Sequence, residues 1–100
     1  MKIYVVVIEA ATSRGFSATV SEKGHQLLET AKVELVETTN RIKADPIPYF
    51  GYADKKDLRV TWTTERLCEI KDSFSGNIIN VYIHEINVLR LLKKKKASRL

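Results

Sequence analysis

One hundred residues, of which 44% are hydrophobic and 29% charged, are enough for one globular domain and exclude an intrinsically disordered chain. The formal net charge is +5, and its location matters more than its size, because six of the 17 bases lie in residues 90–100 without any acid. Residues 1–89 hold the other 11 bases against all 12 acids. We therefore expect a single compact, nearly neutral domain over residues 1–89 and a basic C-terminal tail over residues 90–100.

Cysteine content and hydropathy bear on the cellular compartment. Cys68 is the only cysteine, so it cannot form an intramolecular disulfide, and this favours a reducing compartment. The apolar run Ile3–Ile8 is shorter than the ~7–15 residues of a signal peptide, and no segment approaches the ~20 residues of a membrane span. We expect a soluble, cytoplasmic protein that does not associate with a membrane.

The N-terminal twenty residues predict two strands. Residues 2–10 are rich in valine, isoleucine and tyrosine and are apolar on both faces, which is typical of a central strand that is buried on both sides. Residues 13–15 are a turn signal, after which Phe16, Ala18 and Val20 alternate with small polar residues. This pattern predicts a short strand that forms a hairpin with the first.

Residues 22–44 predict one long amphipathic helix. Ser21 is a favourable N-cap, and Asp45 before Pro46 ends the helix near Ala44. The positions that share one helical face are Leu28, Ala31, Leu35, Thr39 and Ile42.

The second half of the chain predicts a loop followed by strands. Residues 45–57 carry both prolines and form the loop, and residues 58–64 alternate as a half-buried strand. Residues 65–74 fit either a helix or a strand, with the strand favoured because it forms a hairpin with the β-rich residues that follow Asn77. The predicted fold is two-layer α+β: a mostly antiparallel sheet of three to five strands with one long amphipathic helix packed on one face.

Residues with catalytic chemistry are few and scattered. The two histidines, His25 and His84, are far apart, no Cys-x-x-Cys motif occurs, and the four glycines do not cluster into a phosphate-binding loop. His84 shares a strand face with Tyr82, where a structural role is favoured over acid–base chemistry, and Cys68 is expected to be a small buried hydrophobe. We predict no catalytic residue, no metal site and no cofactor.

Two segments are candidates for recognition. The first is the aromatic loop, which could stack on unpaired bases or anchor a protein interface, or could instead fold over the core. Its aromatic residues are Tyr49, Phe50 and Tyr52. The second is the tail, whose cations are expected to bind nucleic acid weakly and electrostatically. They are Arg90, Lys93, Lys94, Lys95, Lys96 and Arg99.

These features favour a non-enzymatic binding protein. The leading hypothesis is a nucleic-acid-associated accessory protein that uses the basic tail. The alternative is a protein-binding adaptor or inhibitor that acts through the neutral domain. A domain with edge strands is also expected to form a homodimer through sheet edges or helix faces.

The order of elements also resembles that of the RelE-type ribonuclease toxins. The shared layout is an early strand, a helical stretch, strands that include Arg66, and a last strand followed by lysines. The resemblance implies a small ribonuclease as a third candidate function. It assigns no catalytic residue here, because residues 11–20 predict a turn and a strand where these toxins have a two-helix hairpin.

Overall fold

The computed structural model describes residues 1–12, 15–50 and 54–87. Within these ranges, helix α1 spans Leu28–Ala44, the short helix α2 spans Ile47–Phe50, and a 3-10 turn spans Lys55–Asp57. The described strands are β1 (Lys2–Thr12), β2 (Gly15–Val20), β3 (Leu58–Thr64), β4 (Leu67–Asp72) and β5 (Ile78–Asn87).

The described strands form one antiparallel sheet in the order β2-β1-β5-β4-β3. The β1–β2 hairpin closes at the pair Thr12 and Gly15, and β5 returns along the full length of β1. Helix α1 connects β2 at one edge of the sheet to β3 at the other edge and packs on β1 and β5 between them. The predicted two-layer α+β fold, with one long helix on one face of an antiparallel sheet, is confirmed.

The core lies between α1 and the central strands. Leu35 and Ile42 of α1 are completely buried, as are Ile70, Ile79 and Val81 of the sheet. Burial of each such side chain stabilises the fold by about 1.5–3 kcal/mol relative to exposure. Cys68 is also completely buried in this cluster, as expected of a small hydrophobe.

Strand β1 is buried on both of its faces, as predicted, but by two different means. Val6 faces α1, whereas Val5 and Val7 face the other side of the sheet, which no helix of the described chain covers. Val5 and Val7 are nevertheless only 7% and 6% exposed. Their cross-strand partners are His84 and Tyr82, whose larger side chains flank them. We call this uncovered side of the sheet the open face.

The start of α1 differs from the prediction. The helix begins at Leu28 rather than at residue 22, and Leu27 occupies the N-cap position without a side-chain cap, so Ser21 is not the N-cap. The intervening residues hydrogen-bond to the edge of β1 instead. Ser21 N–H donates to Val6 O at 2.8 Å, and His25 pairs with Tyr4 through bonds of 2.7 and 2.8 Å. Because these bonds satisfy the backbone of the segment, it does not extend the helix.

Within the segment 65–74, residues 67–72 form strand β4 and the flanking residues form turns, so the helical alternative for this segment is wrong. Strand β4 pairs with both β3 and β5, and a tight turn joins it to β5. Gly76 adopts φ = 80° in this turn, and buried Asp72 accepts hydrogen bonds from Phe74 N–H and Ser75 Oγ. The predicted hairpin is confirmed.

No helix in the described part of the chain is long and apolar enough to cross a membrane.

Candidate functional site

A groove of about 690 Å³ lies between α1 and the half of the sheet formed by β1 and β2. It exists because α1 packs on β1 and β5, while the edge strand β2 extends beyond the helix. Volumes of 300–1,000 Å³ are typical of ligand sites. We call it the α1–β2 groove, and its floor is formed by Val6, Ile8, Ala10, Ser17 and Thr19.

Charged side chains of both signs form the rim of the α1–β2 groove. Glu37 and Arg41 project from α1, and Glu22 and Lys23 project from the segment after β2. None of these four side chains forms an ion pair with another described residue, although Glu37 and Arg41 are four positions apart on α1. The rim therefore offers uncompensated charges around a floor that is apolar along β1 and carries hydroxyl groups along β2.

Glu34 joins the rim to the sheet through a polar cluster. Its Oε2 accepts a hydrogen bond of 2.8 Å from Ser21 Oγ, and its Oε1 lies 2.7 Å from His25 Nε2. The other imidazole nitrogen, Nδ1, lies 3.1 Å from Thr30 Oγ1. These bonds hold the segment between β2 and α1 against the helix, which fixes the width of the groove at this end.

Two hydroxyl groups contact this cluster from different sides. In a relay that activates a nucleophile, the imidazole lies between the hydroxyl and the carboxylate and accepts the hydroxyl proton. Ser21 Oγ contacts the Glu34 carboxylate directly and not the imidazole, whereas Thr30 Oγ1 lies across the imidazole from Glu34 but donates its proton to Leu27 O at 2.9 Å. The hydrogen bonds of the cluster therefore orient the segment between β2 and α1 and present polar groups to a ligand.

Sequence reasoning missed this cluster because it placed His25 inside α1. Ser21 and Glu34 are 13 positions apart, and His25 pairs with Tyr4 of β1 outside the helix. No local motif signals such a contact. The spacing of Ser21 and Glu34 indicates a contact only if α1 begins at Leu28, which the sequence pattern does not predict.

The described part of the aromatic loop folds towards the core. Phe50 is only 6% exposed and belongs to the core cluster, which is the alternative in which the loop covers the core. Tyr49 is half-buried and lines the end of the α1–β2 groove beside Pro48. Tyr52 lies outside the described residues. A recognition role for Tyr49 stays a prediction, and it now points to the groove.

The cations assigned to nucleic-acid binding lie outside the described residues, so their assignment stays a prediction. They are Arg90, Lys93, Lys94, Lys95, Lys96 and Arg99.

The remaining titratable candidates have structural surroundings. Tyr82 donates a hydrogen bond of 2.5 Å to Glu9 Oε1, which raises the pKa of Tyr82. His84 is exposed on the open face. Burial raises the pKa of the Cys68 thiol, which opposes formation of the reactive thiolate.

No family model, characterised protein or solved structure matches this chain, so only its own residues bear on its function. Strand β1 is followed by strand β2, whereas the RelE-type toxins have a two-helix hairpin after their first strand.

Proposed function

We propose that this chain is a non-enzymatic binding protein whose folded domain takes a polypeptide segment in the α1–β2 groove. The observation that carries the proposal is the combination of a floor that includes the apolar side chains of β1 with unpaired rim charges of both signs. Apolar side chains of a ligand would be buried on Val6, Ile8 and Ala10, and its charged groups would meet the rim.

The charges of the rim favour a polypeptide over a polyanion. Three glutamates, Glu22, Glu34 and Glu37, line the groove against the two bases Lys23 and Arg41. Phosphate groups would be repelled by this excess of carboxylates, whereas a peptide with a basic residue beside apolar ones is complementary to it. The groove therefore supports the role of a protein-binding adaptor or inhibitor.

A displayed library of random peptides, selected on the immobilised full-length protein, tests this proposal. Thr19→Phe places a ring on the groove floor, because Thr19 is exposed there and pairs with Ile8 on the helix side of the sheet. Thr61→Phe is the matched control, since Thr61 is exposed on the open face of β3. We expect selected peptides to bind T19F at least tenfold more weakly than the wild type and to bind T61F unchanged.

Charge reversal provides the second arm of this test. Glu37→Lys changes the rim of the groove, and Glu69→Lys makes the same change on the open face of β4. We expect E37K to select against peptides with basic residues, while E69K selects the same peptides as the wild type. A library that enriches no sequence on the wild type relative to T19F would contradict the proposal.

A second function, association with nucleic acid, is favoured by the segregation of charge along the sequence. Residues 90–100 hold six bases and no acid, whereas the preceding residues are nearly neutral. A polyanion is attracted by such a segment through the release of counterions and without sequence preference. The two proposed functions use different parts of the chain, so each can be removed without the other.

A further inference from the structure

Strand β2 is an edge strand without the usual protection against pairing. Exposed edges in natural proteins commonly carry charged residues, proline or a bulge that prevents another strand from adding. The six residues of β2, GFSATV, include no charge and no proline, and all six are exposed. The opposite edge strand, β3, carries Arg59. The β2 edge is therefore the one suited to accept a further strand.

The hydrogen bonds of the hairpin determine which backbone groups of β2 face outward. Ser21 N–H donates to Val6 O, which places the backbone groups of Ser21 on the β1 side. Groups on an antiparallel strand alternate in direction, so Thr19 and Ser17 also face β1. The N–H and C=O groups directed to the free edge are then those of Phe16, Ala18 and Val20.

We propose that this edge is the interface of a homodimer, in which β2 pairs antiparallel with β2 of a second copy about a two-fold axis at Ala18. The outward-facing residues match each other in this register. Ala18 meets Ala18 of the second copy, and Phe16 meets Val20 on either side of the axis. Each of these pairs exchanges both of its backbone hydrogen bonds.

Side chains and charge both favour a second copy as the occupant of this edge. Phe16 is 70% exposed and Val20 is 56% exposed, and in this register each is covered by the other across the interface. Aromatic and β-branched side chains form favourable cross-strand pairs. A strand without charge can also pair with itself without like-charge repulsion, and an isologous interface requires such self-complementarity.

The dimer would complete the α1–β2 groove. A two-fold axis perpendicular to the sheet keeps both copies of α1 on the same side of a continuous sheet. Each groove is bounded by its own helix on one side and ends at β2 on the other. Pairing of the two β2 strands joins the grooves into one channel, with the sheet as its floor and a helix as each wall.

Disulfide trapping tests the register. Ala18→Cys places two thiols at the axis, where Cα atoms about 5.5 Å apart lie within the span of a disulfide. Cys68 is completely buried and does not compete for the engineered thiol. We expect full-length A18C to form a covalent dimer under mild oxidation. Thr61→Cys, which is exposed on the opposite edge strand, should stay monomeric in a denaturing gel.

Charge provides an independent test. Ala18→Lys should leave the fold intact, because position 18 pairs with Glu9 on β1, but it brings two lysines together at the axis. Thr61→Lys is matched closely, since position 61 pairs with Glu69 on β4. In sedimentation at micromolar concentration, the wild type and T61K should have twice the mass of the 11.4 kDa chain, and A18K should have the mass of one chain.

Circular dichroism of A18K that matches the wild type would show that loss of the dimer is not loss of the fold. A wild type that sediments as a single chain at micromolar concentration would overturn the proposal. The proposal would also be wrong if the β2 edge of that single chain pairs with a strand of a different protein. A dimer that T61K dissociates and A18K does not would place the interface at β3 and would equally overturn it.

Discussion

At the residue scale, the polar side chains that are buried in the fold form hydrogen bonds. No buried side-chain nitrogen or oxygen in the described part of the chain lacks a hydrogen-bond partner. Thr39 donates to Leu35 O within α1 at 2.9 Å, and Asp72 accepts two bonds in the β4–β5 turn. Because an unpaired buried polar group costs about 1–3 kcal/mol, this pairing is a condition for the threonine-rich helix to lie against the core.

The hydrogen bond between Tyr82 and Glu9 makes the stability of the fold depend on pH. This bond favours the neutral phenol, so the pKa of Tyr82 is raised in the folded protein. The associated stability is present below the unfolded pKa of about 10 and is lost as the pH rises through the folded pKa. We expect the free energy of unfolding to fall with pH in the alkaline range, and Glu9→Gln to make this fall shallower. Urea denaturation over that range, with Tyr82→Phe as the control, measures the effect. Identical pH profiles for the wild type and E9Q would contradict this explanation.

At the element scale, the entry into α1 depends on Glu34. This carboxylate connects Ser21 and His25 to the helix, and α1 has no side-chain N-cap of its own. The helix is therefore held in place at its N-terminal end by a contact from its second turn rather than by a local cap.

Glu34→Ala and Glu37→Ala separate this role from helix propensity. Both replace an α1 glutamate that lines the groove, but Glu37 has no ion-pair partner in the part of the chain that the structure describes. We expect E34A to lower the free energy of unfolding by about 2 kcal/mol, because the Ser21 hydroxyl proton and His25 Nε2, both partly buried, lose their partner. E37A should stay within about 0.5 kcal/mol of the wild type. Equal effects of the two substitutions in chemical denaturation would show that the cluster does not hold the helix.

Sequence periodicity predicted the helices and strands whose conformation is determined by their own residues. Strand β1 is rich in β-branched residues, and the face of α1 from Leu28 to Ile42 follows the helical repeat. The segment at 21–27 could not be predicted in the same way. Its residues tolerate a helix, and the deciding contacts come from Tyr4 and Val6, which lie far away in sequence. Since the site depends on this segment, the groove was not predictable either.

At the scale of the whole molecule, the charge of the chain divides between two regions. The described residues hold all 12 acids of the sequence, and the six bases from Arg90 onward lie beyond them. A domain that is close to neutral has little electrostatic attraction for a polyanion, so any non-specific affinity for nucleic acid should reside in the C-terminal residues.

Truncation after Leu92 tests this division, because it removes Lys93, Lys94, Lys95, Lys96 and Arg99 and brings the formal charge of +5 to zero. Full-length protein should bind a short labelled DNA duplex at low salt. The logarithm of its affinity should fall against the logarithm of salt with a slope no steeper than about −5.4 for the six cations from Arg90 onward. The truncated protein should not bind, and its thermal unfolding should match the wild type. Salt-insensitive binding that survives the truncation would contradict an electrostatic role for the tail.

The proposed function depends on the binding of a polypeptide in the α1–β2 groove. Amide chemical-shift mapping of the full-length protein with a peptide selected on it locates the bound segment. We predict the largest shifts at Thr19, His25, Glu34 and Tyr49, which line the groove. Shifts that are confined to the open face around Tyr82 and His84, or to residues 90–100, would contradict binding in the groove.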